Sequence, residues 1–429
     1  MKNIFNKEKF NLYVLYISFI FFITINLVYF YLHFNSLINT SNYAFNELFI
    51  NYQSGFIRRG LLGEIVFQLN YLFSFNPRHV LSIFFLIIYL STFIIFFSLF
   101  KRFINSILVF IIIFFSPQLL LFQIYNPDLY FIKDAIIKFT ILLHAFIFYY
   151  FVHYKKIISN YFFYLKLLII PCLFLIILIH EYQVFSISVH FLISLGAIKN
   201  LNFKKKLFII YSPLLISFLL VLFFFGNENQ LSNLNLILQK FDVELNPHLG
   251  GGIYKYLGAF YKWHFFYFSY RDFLNLIAAF VLSVIIIYIL FEYLIEKKIL
   301  IIKSQYKKKY LFYFLPCILP FFLTTDHGRN LSLISVYLIS FYSTLSFSKE
   351  YLKKLNKRIG KSVFNTFLII LFTFFYIFMW KLNQFAGFGL RGIPNDIFQS
   401  SLFAEFSKLI KFLYNYIDLN IINLPQIKL

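Results

Sequence analysis

The sequence predicts an all-α, polytopic integral membrane protein, and three features of its 429 residues lead there. Hydrophobic residues make up 61% of the chain, charged residues only 13%, and Lys+Arg outnumber Asp+Glu by 39 to 17. A soluble globular protein carries about 25% charged residues, and surface-to-volume scaling leaves no way to bury this much apolar side chain in one water-soluble domain. A soluble enzyme, a disordered tail and a disulfide scaffold are excluded. The formal net charge of +22 does not mark a nucleic-acid binder. The lysines form short clusters between apolar runs, as in the cytoplasmic loops of bilayer proteins. Cys172 and Cys317 both lie inside apolar runs, so neither a disulfide framework nor a metal cluster is expected. Neither metal nor cofactor is required. The heavy use of Phe, Ile, Asn, Lys and Tyr resembles AT-biased coding, which makes any single aromatic uninformative.

A membrane helix needs roughly 20 mostly apolar residues. Read with that window, the chain offers about eleven spans, near 11–32, 80–100, 104–124, 136–153, 162–179, 183–198, 207–225, 273–294, 310–325, 331–347 and 363–380. The first is too long for a cleaved signal peptide, and no small-residue cleavage site follows it. Lys2, Lys7 and Lys9 precede it, and Lys101–Arg102, Lys155–Lys156, Lys204–Lys206, 297–309 and 349–361 follow every second span. Placing all of these on one side puts the N-terminus in the cytoplasm and the C-terminal tail, 381–429, outside. No internal repeat and no Gly/Ser/Pro-rich linker divides the chain, so residues 1–429 are read as one integral membrane domain with large outer loops at 33–79 and 226–272.

This topology makes the chain asymmetric. Asp128, Asp134, Asp242, Asp272, Asp326, Asp396 and Asp418 all fall on the outer side or at its boundary, as do Glu47, Glu64 and Glu181. The cytoplasmic loops are short and basic, so an active site is expected to face outward. In the first outer loop, Gly55-Phe56-Ile57-Arg58-Arg59-Gly60-Leu61-Leu62-Gly63-Glu64 reads as an interfacial helix starting near Phe56. Arg58, Leu62 and Val66 would then lie on successive turns. An arginine fork matches phosphate oxygens bidentately, so Arg58 and Arg59 are candidate substrate-binding residues; the alternative is that they snorkel to lipid headgroups.

Next comes His180-Glu181 at the outer end of the fifth span, in a tight turn before Gln183. An imidazole and a carboxylate at this depth are costly unless paired or functional. Partial burial is expected to raise the carboxyl pKa towards that of a general base; the alternative is a structural pair closing a hairpin. HExxH is absent, so no zinc site follows. The densest polar cluster is Thr324-Thr325-Asp326-His327-Gly328-Arg329-Asn330, after Pro316 and Pro320, which imply a kink. Asp326 and Arg329 either neutralise each other or help to hold a sugar-diphosphate head group. In the loop at 226–272, Asn246-Pro247-His248 precedes three glycines that allow close backbone approach to a ligand, which makes His248 a further candidate contact. Lys133-Asp134 reads as a small structural turn. His144, His153 and His190 read as packed or interfacial.

With these features in hand, the chain resembles the O-antigen and capsule repeat-unit polymerases of bacteria. It shares their aromatic-rich composition, their dozen or so spans, a sizeable outer loop and outward-facing arginines. The Gly55–Gly63 and Asp326–Arg329 stretches are also similar to segments of membrane proteins from polysaccharide loci. The resemblance implies a multi-pass protein of the bacterial inner membrane. It would transfer a polyprenyl-diphosphate-linked oligosaccharide to the sugar end of another lipid-linked repeat unit, without a nucleotide sugar. A chain-length regulator protein would be a partner. In that reading Arg58, Arg59 and Arg329 hold the diphosphate, and Glu181 or Asp326, with His180 or His327 nearby, removes the acceptor proton. Two other classes stay open: a polyprenyl-phosphate-sugar glycosyltransferase, for which Glu47 and Glu64 supply acidic residues in the first outer loop, and a precursor flippase or transporter.

Overall fold

The computed structural model describes residues 7–37, 43–105, 107–126, 131–197, 201–224, 226–241, 243, 270–296, 310–320, 326–345 and the single positions 371, 376 and 382. Every regular element among them is helical. In chain order these include α1 (Lys7–Leu37), α2 (Leu61–Phe73), α3 (Pro77–Phe103), α4 (Asp134–Tyr154), α5 (Ile158–Ile179), α6 (Gln183–Leu195), α7 (Lys205–Phe223), α8 (Glu228–Leu238), α9 (residues 270–296) and α10 (His327–Ser343). Four of them, α3, α4, α5 and α7, are long and apolar enough to cross a membrane.

Local chemistry sets several boundaries. Helix α3 opens with Pro77 in its first turn, where a missing N–H costs nothing, and the Asn76 side chain accepts from the Arg78 N–H at 2.9 Å. Helix α5 widens into a π-turn over Leu165–Ile169 just before Pro171. That loosened ladder is where a residue without a donor N–H fits. At α8 the Asn227 side chain and Gln230 form a reciprocal capping box.

The bundle is organised around α4, which packs against α3, α10, α6 and α5. In α10 every residue except Arg329 is buried, so this helix is core rather than lipid-facing. Phe22 of α1 stacks on Phe93 of α3 at 5.0 Å between centroids, and Phe96 and Phe114 meet edge to face at 5.2 Å. Tight aromatic packing of this kind fills the interior in place of polar contacts.

Not every expected span takes the expected form. The segment at 104–124 holds only the nine-residue helix Ile107–Phe115, then turns at Pro117 and makes one more turn at Phe122–Tyr125. Helix α6 has 13 residues, about 20 Å at 1.5 Å per residue, less than the roughly 30 Å of hydrocarbon. Residues Tyr310–Ile318 form a 3₁₀ helix around Pro316, in keeping with the expected break. The span at 363–380 lies outside the described residues apart from positions 371 and 376.

The interfacial helix of the first loop is also shifted. It begins at Leu61 rather than near Phe56, because Arg59 adopts a left-handed backbone with φ 67° and Gly60 caps the helix. Arg58 and Arg59 therefore precede the helix and do not share its face. Helix α2 still has the two-sided character expected of an interfacial element. Leu62, Gly63 and Val66 are buried, while Ile65, Tyr71, Leu72 and Phe73 are exposed.

Candidate functional site: a buried ionic cluster

The starts of α2, α4, α6 and α10 and the end of α5 converge, and their charged residues form one continuous network. Lys133 Nζ lies 3.8 Å from Glu47 Oε1. The Arg59 guanidinium bridges Glu47 through Nη1 and Glu181 through Nη2, and its Nε donates to Glu181 Oε2 at 2.8 Å. Glu181 Oε2 stands 3.7 Å from His180 Nδ1, and His180 Nε2 stands 3.3 Å from Asp134 Oδ1. Arg329 grips both oxygens of Asp134, with Nε and Nη2 each at 2.9 Å, and turns Nη1 to Asp326.

Four carboxylates (Glu47, Asp134, Glu181, Asp326) thus face Arg59, Arg329 and Lys133, with His180 between them. The permanent charges sum to minus one, and a proton on His180 makes the set neutral. Taking an ion out of water costs several kcal/mol, repaid only by close pairing and hydrogen bonds. The helix ends add to that pairing. Asp134 sits in the first turn of α4 and Asp326 at the N-cap of α10, where the partial positive charge of a helix favours an anion.

The pairing decides the titration of the groups outside the spanning helices. Burial alone pushes the Glu47 carboxyl up, but Lys133, Arg59, His180 and Arg329 together bring it down to about 2. Burial likewise opposes ionisation of Glu181, and the charge and hydrogen bonds of Arg59, with the nearby His180, override it, leaving the group well below the usual carboxylate range. The expectation that burial would tune Glu181 upward into a general base is therefore corrected: the arginine fork stabilises its anion. Burial lowers the Lys133 ammonium to about 8 against the support of Glu47.

Of the residues singled out in the sequence, Arg59, His180, Glu181, Asp326 and Arg329 come together. His327 is buried at the first position of α10, beside Asp326. Arg58 is 2% exposed, so it does not reach solvent or headgroups, and it makes none of the cluster's ion pairs; the two arginines are not a twin clamp. The Arg59 and Arg329 forks are filled by carboxylates of the protein itself. His248 lies outside the described residues. Glu64 serves the loop: its carboxylate accepts from the Tyr52 N–H at 2.9 Å and from Gln53 Nε2 at 2.7 Å.

Sequence reasoning underrated Glu47, Lys133 and Asp134. The signal for the last two was present: adjacent opposite charges at the mouth of an apolar helix, where a plain turn needs neither. Glu47 reaches Arg59 because Gly63 lets α2 lie directly on the chain at Phe49–Ile50. A Cβ there would stand 2.1 Å from the Ile50 carbonyl oxygen.

A second polar group lies deeper. His144 and His190 face each other through Nδ1 at 2.9 Å, and Tyr161, Ser194 and Tyr211 continue the hydrogen-bonded chain from His144 Nε2. The packed role expected for His144 and His190 describes this arrangement. His153 is half-buried and contacts the Thr344 carbonyl. Among the described residues no three His, Cys, Asp or Glu side chains are grouped to hold a metal ion. The chain matches no protein-family model, and neither curated proteins nor solved structures offer a match.

Proposed function

We propose that the chain is a membrane glycan transferase that extends a polymer from polyprenyl-diphosphate-linked oligosaccharides at the outer face of the cytoplasmic membrane. The observation that carries this reading is the setting of His180. Its Nε2 faces Asp134 at 3.3 Å, its Nδ1 stands 3.7 Å from Glu181 Oε2, beyond hydrogen-bond distance, and with the imidazole neutral the surrounding cluster carries one net negative charge that favours taking up a proton. A carboxylate holding one imidazole nitrogen leaves the other as the proton acceptor, the arrangement that orients a general base.

In the reaction the acceptor hydroxyl oxygen attacks the anomeric carbon of the donor. The bond from that carbon to the diphosphate oxygen breaks, and the hydroxyl proton passes to His180 Nδ1. The lipid diphosphate leaves with the electron pair and is a good leaving group in its own right. The role of the protein is to position both sugars and supply the base. Arg59 and Arg329 hold Glu181, Glu47, Asp134 and Asp326 in place around that base.

One observation favours a second reading, transfer from a polyprenyl-phosphate-linked monosaccharide. An acidic residue of the first outer loop is the group expected to act there, and Glu47 lies in the cluster. The readings separate in one assay. Membranes carrying the chain, or its His180→Gln, Glu47→Gln or Arg59→Lys variant at equal abundance, are supplied with either donor class. Ladder formation from the diphosphate-linked oligosaccharide, lost in His180→Gln, supports the first. Single-sugar transfer from the monophosphate donor, lost in Glu47→Gln, supports the second. Full activity in all three variants removes the cluster from the chemistry.

A further inference from the structure

The arginines that would hold a lipid diphosphate are occupied by carboxylates, which raises the question of where that anion would sit. One turn deeper along α4, a cleft between α1, α3, α4 and the segment after Pro117 is lined by Asn26, Tyr89, Phe93, Gln123, Ala135 and Lys138, among others. Its unfilled space of about 340 Å³ includes the open mouth, and the enclosed part is small. Its walls are mostly apolar by area, and Asn26, Tyr89, Thr92, Gln123 and Lys138 bring polar groups to it.

Lys138 is 3% exposed, donates to Ser332 Oγ at 2.8 Å and lies 4.8 Å over the Phe122 ring. An ammonium has three donors, and the Ser332 bond occupies one. The carboxylate one turn back on the same helix, Asp134, is committed to both arms of Arg329. Gln123, also 3% exposed, has an Nε2 with no hydrogen-bond partner. A buried amide donor without a partner is costly, and a lysine within a membrane bundle is by default a functional group. An apolar cleft with a cation and an unpaired N–H donor suits a ligand with an anionic oxygen at one end and hydrocarbon at the other.

We infer that this cleft binds the phosphate end of a lipid-linked substrate, with Lys138 and Gln123 on the phosphate oxygens and Tyr89, Phe93 and Leu120 against the first hydrocarbon units. The inference rests on the transferase reading and adds to it the group that holds the donor. It places the reacting sugar next to the ionic cluster, because Asp134 and Lys138 are one turn apart on α4.

The test uses the purified full chain in nanodiscs, titrated with citronellyl diphosphate, citronellol and inorganic pyrophosphate, with binding read by calorimetry and by the shift in unfolding midpoint. Citronellyl diphosphate is expected to bind and to raise the midpoint. Lys138→Met and Gln123→Leu each weaken it at least tenfold, Lys138→Arg retains most of it, and neither citronellol nor pyrophosphate substitutes. Equal binding by pyrophosphate overturns the lipid assignment, and unchanged affinity in Lys138→Met overturns the site. Size-exclusion profiles and the Lys138→Arg variant separate loss of binding from loss of folding. Binding here without any sugar transfer would sink the transferase reading and leave the site standing; transfer indifferent to Lys138 would do the reverse.

Discussion

Arg329 holds Asp134 with two parallel hydrogen bonds, Nε to Oδ2 and Nη2 to Oδ1, both 2.9 Å, across 195 positions of chain. This pair joins the first turn of α10 to the first turn of α4, the helix around which the bundle is organised. Asp134 in turn faces His180, so the same pair fixes the imidazole. The stability of the helix junction and the geometry of the candidate base therefore depend on one contact.

Removing one partner leaves the other charge buried without compensation, which costs about 3–5 kcal/mol. Asp134→Asn and Arg329→Gln should each lower the unfolding midpoint strongly in detergent. The double variant should recover part of the loss, since only Asp326 is then left without its arginine. A double variant that loses as much as the two singles combined would show that the pair is not coupled as the geometry requires.

The titration of Glu47 predicts where acid acts. Its folded-state pKa is depressed from 4.5 to about 2, so the folded state binds fewer protons than the unfolded one in between. The stability it contributes is present above about pH 4.5 and is lost as pH falls towards 2. Lys133 is depressed from 10.5 to about 8, so its burial weighs against the fold below about pH 8 and is relieved as pH rises towards 10.5. Unfolding midpoints against pH should show a shallower acid slope in Glu47→Gln, with Glu181 carrying part of the remainder, and should lose the alkaline rise in Lys133→Gln. If the wild-type slopes persist in both variants, other groups carry them.

Gly63 predicts a steric test of how Glu47 is placed. A Cβ at this position meets backbone, 2.1 Å from the Ile50 oxygen and 2.7 Å from the Phe49 carbonyl carbon, and backbone yields less readily than a side-chain tip. Gly63→Ala should therefore cost about 1–3 kcal/mol or more and withdraw Glu47 from Arg59, lowering transfer as well as stability. Gly196→Ala is the control. Its nearest new contacts are 3.1 Å from the Phe148 ring and 3.2 Å from the Ile193 carbonyl oxygen, so its cost in thermal melts should be smaller.

The helical character was legible because apolar runs near membrane length admit little else, and the spans at 80–100, 136–153, 162–179 and 207–225 each match one long apolar helix. The 104–124 run was not, since hydropathy does not register the turn at Pro117. The ionic cluster was half legible. Arg59, Glu181 and Arg329 stand out as charges in apolar surroundings, but the pairs they form span 12 positions for Arg59–Glu47, 122 for Arg59–Glu181 and 195 for Arg329–Asp134. Pairing over such separations is a tertiary fact. The direction of the Glu181 shift followed the same limit: burial is readable from hydropathy, whereas the arginine that reverses its effect is not.

Sidedness gives the last prediction. Helix α4 has 21 residues, about 31 Å at 1.5 Å per residue, which matches the roughly 30 Å of hydrocarbon. It carries Asp134 at one end and runs into Lys155–Lys156 at the other. Gln53, in the loop beside the cluster, and Ser159, just past those lysines, are both exposed. In a Cys172→Ser/Cys317→Ser background, a membrane-impermeant maleimide added to intact cells should label Gln53→Cys and spare Ser159→Cys, with the pattern reversed in inverted vesicles. Labelling of both positions from one side would mean that α4 does not cross the bilayer. Labelling of Gln53→Cys in inverted vesicles alone would put the cluster on the cytoplasmic side, away from the compartment where a lipid-linked oligosaccharide is presented, and the transferase reading would fall.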